Sequence, residues 1–201
     1  MADSLSAGHG ATPLHDVSGL IPKHISSQRE LNEAEFANTN EVLLKYLLRK
    51  PSKRIAPFTY HWLLTLHQEM FGKVWGWAGK IRDTELNIGV KPFKIRDELQ
   101  KFAGDYEAWF KHKHSPVEIS ARIHHRLVWI HPFKGGNGRW ARIAANIFLR
   151  QQGKLLVAWP EDELLMSVGE FRKKYIEALK KADSSDLSNL TEIHRGLMRE
   201  L

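Results

Sequence analysis

Most of the chain carries apolar side chains at the spacing of an α-helix. In the first such series, Leu31 and Ala34 begin an apolar face that Val42 and Tyr46 continue, and Pro51 stops the helix. The same spacing predicts further helices at about residues 59–71, 95–111, 116–130, 139–153, 161–182 and 186–199. The chain is therefore predicted to be mainly helical.

One stretch, from Gly76 to Pro92, has a different pattern. Leu86, Ile88 and Val90 alternate with other residues, and glycine, aspartate and asparagine residues lie around them. Alternation of this kind between turn residues is typical of a short β-hairpin. The predicted fold class is thus a mainly α helical bundle with one small hairpin.

The chain is predicted to form one domain with an N-terminal arm. Hydrophobic residues make up 42% of its 201 residues, enough for one buried core. Residues 1–20 are rich in Gly, Ser, Ala and His and show no period, which indicates a loose arm. We assign residues 1–40 to this arm with a candidate inhibitory helix, and residues 41–201 to the domain.

The amino-acid composition limits which cellular compartments and which partners are expected for the protein. The absence of cysteine excludes disulfides and thiolate metal sites and favours a reducing compartment. The N-terminus does not resemble a secretory signal, and no apolar run approaches the roughly 20 residues that span a bilayer. We therefore expect a cytoplasmic protein without membrane contact. The net charge of +7 favours anionic partners, but no nucleic-acid recognition motif is present, so nucleic acid is not the expected partner.

The segment from His131 to Arg142 carries the candidate chemistry. Three glycines surround Asn137 and lead directly into a predicted helix, whose first N–H groups and positive dipole end attract anions. Arg139 and Arg142 follow three residues apart on one helix face. Two cations oppose the dipole there unless an anion lies between them, and arginine suits phosphate. The segment therefore indicates a polyphosphate site, although it is not a Walker loop.

His131 stands immediately before this phosphate cradle. A neutral imidazole beside a bound nucleotide can accept the proton of an incoming hydroxyl, whose oxygen then attacks a phosphate. Such chemistry depends mainly on positioning and on charge neutralisation. We therefore predict His131 as a general base. No group of residues has the spacing of a protein metal site.

This window resembles the motif of the Fic family, His-x-Phe-x-(Asp/Glu)-Gly-Asn-(Gly/Lys)-Arg-x-x-Arg. The matching positions are His131, Phe133, Gly136, Asn137, Gly138, Arg139 and Arg142. Residues 66–82 and 123–133 are also similar to family segments, and the resemblance extends from about residue 40 onward. The N-terminal region further resembles a bacterial subgroup called mobile mystery protein B.

The resemblance implies a Fic fold with a hairpin flap beside the active-site loop, and an enzyme that transfers AMP from ATP to a Ser, Thr or Tyr hydroxyl of a target protein. It implies His131 as the base and Phe133 as a packing residue that sets the loop. The implied nucleotide-binding residues are Gly136, Asn137, Gly138, Arg139 and Arg142. The hairpin near Asp83–Pro92 is implied to bind the target by strand addition.

Gly135 departs from the family pattern. The family has Asp or Glu there, which supplies a carboxylate to Mg²⁺, and glycine has no ligand atom. Mg²⁺, or Mn²⁺, would then be held by ATP and water or from elsewhere in the chain. An alternative interpretation is therefore a nucleotide-binding Fic protein with weak or lost catalysis. A Fic variant with another transfer chemistry is a third reading.

The resemblance also implies a restraint on activity. Many Fic proteins carry (Ser/Thr)-x-x-x-Glu-(Gly/Asn) on a helix whose glutamate pairs with the second motif arginine. Glu30 follows Ser26 at this spacing, and Glu192 follows Ser188, but neither is followed by Gly or Asn. Glu30 is the preferred inhibitory candidate. If neither glutamate serves, the resemblance implies control by an antitoxin chain.

Overall fold

A computed structural model describes residues 17–165 and 169–200 of the chain. This part is mainly helical, which confirms the predicted fold class. Its helices are α1 (Gln28–Leu47), α2 (Tyr60–Phe71), α3 (Ile95–Lys111), α4 (Pro116–Ile130), α5 (Asn137–Gln151), α6 (Glu161–Leu165), α7 (Glu170–Asp183) and α8 (Ser188–Gly196). Strands β1 (Leu156–Val157) and β2 (Met198–Arg199) pair antiparallel, with Leu156 opposite Arg199.

Local signals in the sequence set several helix starts. Thr59 caps α2, as its position before the apolar series suggested, and its hydroxyl accepts from the Trp62 N–H. Ser115 and Glu118 form a capping box at the start of α4, with proline in the first turn. These contacts satisfy N–H groups that a helix cannot pair internally, so they fix where each helix begins.

Helix α5 lies at the centre of the core and packs mainly against α4. Trp140 is fully buried, and its indole N–H donates to the Leu63 carbonyl of α2 at 3.1 Å. Farther along α5, the Asn146 amide bonds both the N–H and the carbonyl of Val157, each at 2.9 Å. The glycine-rich loop therefore joins the two most tightly packed helices, which hold it at both ends.

The predicted hairpin is wrong in its place. Residues 83–91 form bends and no paired strands, and the small sheet instead joins β1 to β2. Alternation alone did not form a hairpin there because this segment is held by a side chain, Arg82, as described below. The predicted helix at 161–182 is also interrupted, since Gly169 has extended backbone immediately before α7.

The N-terminal arm is partly attached to the domain. Residues 1–16 lie outside the described residues, but Leu20 forms an antiparallel bridge with Trp75, and Gly76 donates to the Gly19 carbonyl at 2.7 Å. Helix α1 continues through residue 40, where we placed the boundary of the arm.

Candidate functional site

His131 ends α4 in a conformation that few residues other than glycine adopt. Its φ of 51° and ψ of 60° lie in the left-handed region, where an ordinary residue costs about 1 to 3 kcal/mol and which is frequent at functional sites. Nδ1 lies 3.3 Å from the Val128 carbonyl oxygen. Nδ1 therefore carries the proton, and Nε2 keeps its lone pair.

The environment of His131 keeps the imidazole neutral. Burial lowers its pKa to about 4, against the opposing effect of the Val128 hydrogen bond, and the nearby Arg82 cation adds to the lowering. At neutral pH the side chain is thus an unprotonated base. With the proton on Nδ1, Nε2 is the ring nitrogen that can accept a further proton.

Asn137 holds the loop between His131 and α5 from inside. Its Oδ1 accepts from the Phe133 N–H at 3.0 Å, and its Nδ2 donates to the Phe133 carbonyl at 2.8 Å. Phe133 is fully buried, as predicted for a packing residue. We expected Asn137 to line the anion site, but its side chain closes the loop instead, and its main chain begins α5.

His67 is a site residue that the sequence did not indicate. Its ring stacks on Phe133 with 3.6 Å between centroids. Nδ1 accepts from the Gly79 N–H at 3.0 Å, so the proton is on Nε2, which donates to the Gly135 carbonyl at 3.0 Å. Burial lowers the pKa of His67 to about 3. A single histidine on an apolar helix gave no signal of this role.

The start of α5 is shaped by Gly136 and Gly138. Gly136 has φ of 74°, and a Cβ there would lie 2.6 Å from a Phe71 ring carbon, so no other residue fits without strain. A Cβ on Gly138 would lie 3.2 Å from Nη1 of Arg142. Within the described residues no side chain caps α5, so its first-turn N–H groups are left for an anion.

Both motif arginines contact carboxylates. Arg139 Nη1 lies 3.1 Å from Oε2 of Glu35 on α1. Arg142 is 7% exposed and makes two parallel contacts with Glu161, Nε to Oε1 at 2.9 Å and Nη2 to Oε2 at 2.5 Å. Neither glutamate could be singled out from the sequence, because only folding brings them to the arginines.

Glu30 does not reach either arginine. Its carboxylate accepts from the Ser26 and Ser27 N–H groups and from the Ser26 hydroxyl, and with Ser27 it forms the capping box of α1. The Ser26 main-chain bond, with further bonds from both serines, lowers its pKa to about 2. Its inhibitory assignment is therefore not supported by its position. Glu192 lies exposed on α8.

A buried series of polar groups lies behind Arg142. Tyr175 lies beside Arg142, and its hydroxyl lies 3.0 Å from His124 Nε2. His124 Nδ1 lies 3.0 Å from His194 Nε2, and His194 Nδ1 lies 2.9 Å from Ser120 Oγ. Ser120 donates its own hydrogen to a main-chain carbonyl, so its oxygen accepts from His194. It follows that His194 accepts from His124, and that His124 accepts from the Tyr175 hydroxyl. Burial keeps both histidines neutral by lowering their pKa values. The series thus fixes the Tyr175 oxygen as an acceptor for Arg142.

Gly135 lies beside the Trp77 ring. A Cβ at Gly135 would lie 3.2 Å from the Trp77 ring, so a side chain there would require the ring to shift by a few tenths of an ångström. Across the two described ranges, no three His, Cys, Asp or Glu side chains group together as metal ligands. The loop residue at the position of the family's carboxylate therefore has no side-chain atom to offer a Mg²⁺ ion.

The chain matches a known family in sequence and in fold. The model of the Fic/DOC family matches residues 57–149. The Protein adenylyltransferase Fic of Drosophila melanogaster is 30% identical over 158 residues, which are 74% of this chain and 30% of that protein. The protein of the same name from Nematostella vectensis is 30% identical over 124 residues, 57% of this chain and 29% of that protein. The chain thus spans about 30% of the length of these relatives.

Solved structures show the same fold. The BepC protein of Bartonella tribocorum, with bound AMPPNP, superposes with a TM-score of 0.67 at 18% identity and covers 93% of this chain and 95% of that one. Fic-1 from C. elegans superposes with a TM-score of 0.62 at 24% identity over 87% of this chain and 50% of that one. In the part of the chain that the structure describes, no helix has the length and apolar character to cross a membrane.

Proposed function

Because the chain belongs to the Fic/DOC family, we propose that it is a protein adenylyltransferase, which transfers AMP from ATP to a Ser, Thr or Tyr hydroxyl of a target protein. Two features of one loop carry the proposal: His131 is neutral with a lone pair available on Nε2, and no side chain caps the start of α5. The first supplies a base, and the second supplies N–H donors for phosphate.

The proposed reaction uses these residues in sequence. The first-turn N–H groups of α5 and the two arginines bind the phosphates of ATP. Nε2 of His131 takes the proton of the target hydroxyl, the oxygen forms a bond to the α-phosphorus, and the bond to the β-phosphate breaks with release of pyrophosphate. The bound phosphates would raise the pKa of His131, which increases its strength as a base at the moment of transfer.

For ATP to bind in this way, Arg142 has to change partners. Its guanidinium is held by Glu161, and a γ-phosphate on the same two N–H groups would have to displace that carboxylate. Glu161 is 40% exposed in its side chain and can turn toward water. We therefore propose that Glu161 restrains nucleotide binding, in place of Glu30, which the sequence had suggested for this role.

The second candidate function is nucleotide binding with weak or lost catalysis. Gly135 favours it, since the loop from His131 to Gly136 offers no carboxylate. The two functions differ in one respect that can be measured. Both require ATP binding that depends on Arg142, but only the adenylyltransferase leaves the α-phosphate on an acceptor.

The expected partners and location remain predictions. We propose that a target docks on the segment near 83–92, which is exposed over most of its length. Control by an antitoxin chain, membership of the mobile mystery protein B subgroup and a cytoplasmic location rest on the sequence alone. Mg²⁺ or Mn²⁺, if used, would come with ATP.

The test is transfer of label from α-labelled ATP to proteins of a bacterial lysate and to the chain itself, with Mg²⁺ and Mn²⁺ tested separately. The unchanged chain, Glu161→Gln, Gly135→Asp and His131→Ala are compared. Label in the unchanged chain or in Glu161→Gln, lost in His131→Ala, supports transfer. Label only in Gly135→Asp, or ATP binding without label in any variant, favours the second function.

A further inference from the structure

Arg82 is a buried arginine whose hydrogen-bond acceptors are main-chain carbonyls. Its side chain is 2% exposed. Nε donates to the carbonyl of His131 at 2.8 Å, Nη1 to that of Thr84 at 2.7 Å, and Nη2 to that of Val90 at 2.5 Å. Removing a guanidinium from water is costly, and no carboxylate contacts this one within residues 17–165 and 169–200. So costly an arrangement needs a reason beyond filling space.

The three acceptors belong to two different parts of the site. Thr84 and Val90 lie near the two ends of the segment 83–92 that we propose as the docking surface, and His131 is the proposed base. The planar guanidinium presents its donors in a fixed fork, so one side chain sets the distances among all three carbonyls. The Arg82 main chain adds a fourth link, since its N–H donates to the Pro132 carbonyl at 2.9 Å.

The segment passes directly against His131. Gly89 has φ of 91°, and a Cβ there would lie 2.4 Å from Cβ of His131, so only glycine allows this approach. The Val90 N–H donates to the Ile130 carbonyl at 3.3 Å. Ile88, next to the glycine, is 59% exposed. The segment therefore has its inner edge on the catalytic loop and its outer side chains in solvent.

We propose that Arg82 is a positioning residue that ties the docking segment 84–90 to the main chain of His131, so that a bound target holds its hydroxyl at a fixed distance from the base. This inference rests on the proposed function. Without the fork, the segment could still bind a chain, but its distance from the imidazole would vary. Small errors in such distances are costly for transfer reactions.

The charge of Arg82 gives the proposal a readout that a merely structural residue would lack. The cation contributes to the low pKa of His131, so replacing it with a neutral side chain should raise that pKa. Burial lowers the pKa of Arg82 itself, and the negative charge of Glu85 opposes this lowering. A lysine at 82 keeps the charge but cannot make the three-way fork.

The experiment compares Arg82→Gln, Arg82→Lys and Arg150→Gln in the full chain. Arg150 is a matched control, since it also donates to a main-chain carbonyl, that of Leu48 at 3.0 Å, but at the far end of α5. Three quantities are measured: the pKa of His131 by NMR titration of the labelled imidazole, amide hydrogen exchange across residues 84–91, and ATP affinity by calorimetry.

We expect exchange at 84–91 to become at least about tenfold faster in both Arg82 variants relative to the rest of the protein. The pKa of His131 should rise more in Arg82→Gln than in Arg82→Lys, because only glutamine also removes the positive charge. ATP affinity should stay within about twofold of the unchanged chain in all three variants. Arg150→Gln should change neither the exchange at 84–91 nor the pKa of His131.

Two results would overturn the inference: a folded Arg82→Gln with unchanged pKa of His131 and unchanged exchange at 84–91, or exchange that rises equally throughout the protein. Label transfer by the unchanged chain tests the proposed function separately. Where that chain transfers label, Arg82→Lys should slow the transfer at saturating ATP by at least about tenfold, and full activity in this variant would also contradict the positioning role.

Discussion

Replacement of Glu161 by glutamine should tighten ATP binding. Glutamine keeps nearly the same shape and an acceptor oxygen but removes the negative charge that holds Arg142. Hydrogen bonds between charged groups contribute about 1.5 to 3 kcal/mol, and the 40% exposure of Glu161 reduces this to about 1 to 2 kcal/mol. If ATP must displace the carboxylate, affinity should rise by about 5- to 30-fold.

The same change should destabilise the protein without nucleotide. Arg142 is nearly fully buried and would lose its counter-ion, while its contact with the neutral Tyr175 remains. We therefore expect a lower Tm for Glu161→Gln in buffer and a larger rise in Tm on saturation with ATP. Calorimetric titration with a non-hydrolysable ATP analogue measures the affinity, and thermal unfolding with and without it measures the linkage.

Asp162→Asn is the matched control for this prediction. Asp162 is the next residue on α6, it is exposed, and its replacement changes the net charge equally. Affinity should change by less than about twofold in this variant. ATP affinity that is unchanged or weaker in Glu161→Gln would refute the reasoning, because it would mean that Glu161 supports Arg142 when nucleotide is bound and does not compete for it.

Three further predictions concern the loop and the buried histidines. His131→Ala should reduce label transfer by about 10²- to 10⁴-fold with little change in ATP affinity. In the unchanged chain, titration of His131 should cause no loss of kcat/KM between about pH 5 and 8, because its pKa of about 4 leaves the imidazole unprotonated there. Gly136→Ala should lower the free energy of unfolding, measured by urea titration, by more than about 1 kcal/mol. Gly104→Ala, in open space on α3, should raise it by up to about 1 kcal/mol, and equal effects of the two changes would contradict the role of the Phe71 contact. His67 and His194 have pKa values of about 3 in the folded state, below the value of about 6.5 in the unfolded state, so the unfolded state binds more protons between these limits. The free energy of unfolding should therefore fall as the pH drops from about 6.5 toward 3, by up to about 1.4 kcal/mol per pH unit for each histidine. A flat profile over this range would show that these groups are not buried and neutral.

Helix positions were accessible from the sequence because they depend on residues close together in the chain. Apolar spacing gave the helices, Thr59 gave a cap, and the glycines before Arg139 marked the start of α5. Short-range patterns were less informative where a distant contact decides the outcome. Segment 83–91 alternates like a hairpin, yet the fork of Arg82 holds it as an irregular turn.

The partners of the charged groups could be decided only by the tertiary structure. Glu30 had the spacing of an inhibitory residue, but a nearby serine cap was a better local partner for its carboxylate. Arg139 instead meets Glu35 across 104 positions of sequence, and Arg142 meets Glu161 from a different helix. The residue types of the loop and of its helix start were readable from adjacent positions of the chain. Folding decided which carboxylates pair with the two arginines, because an ion pair depends on distance in space and not on separation along the chain.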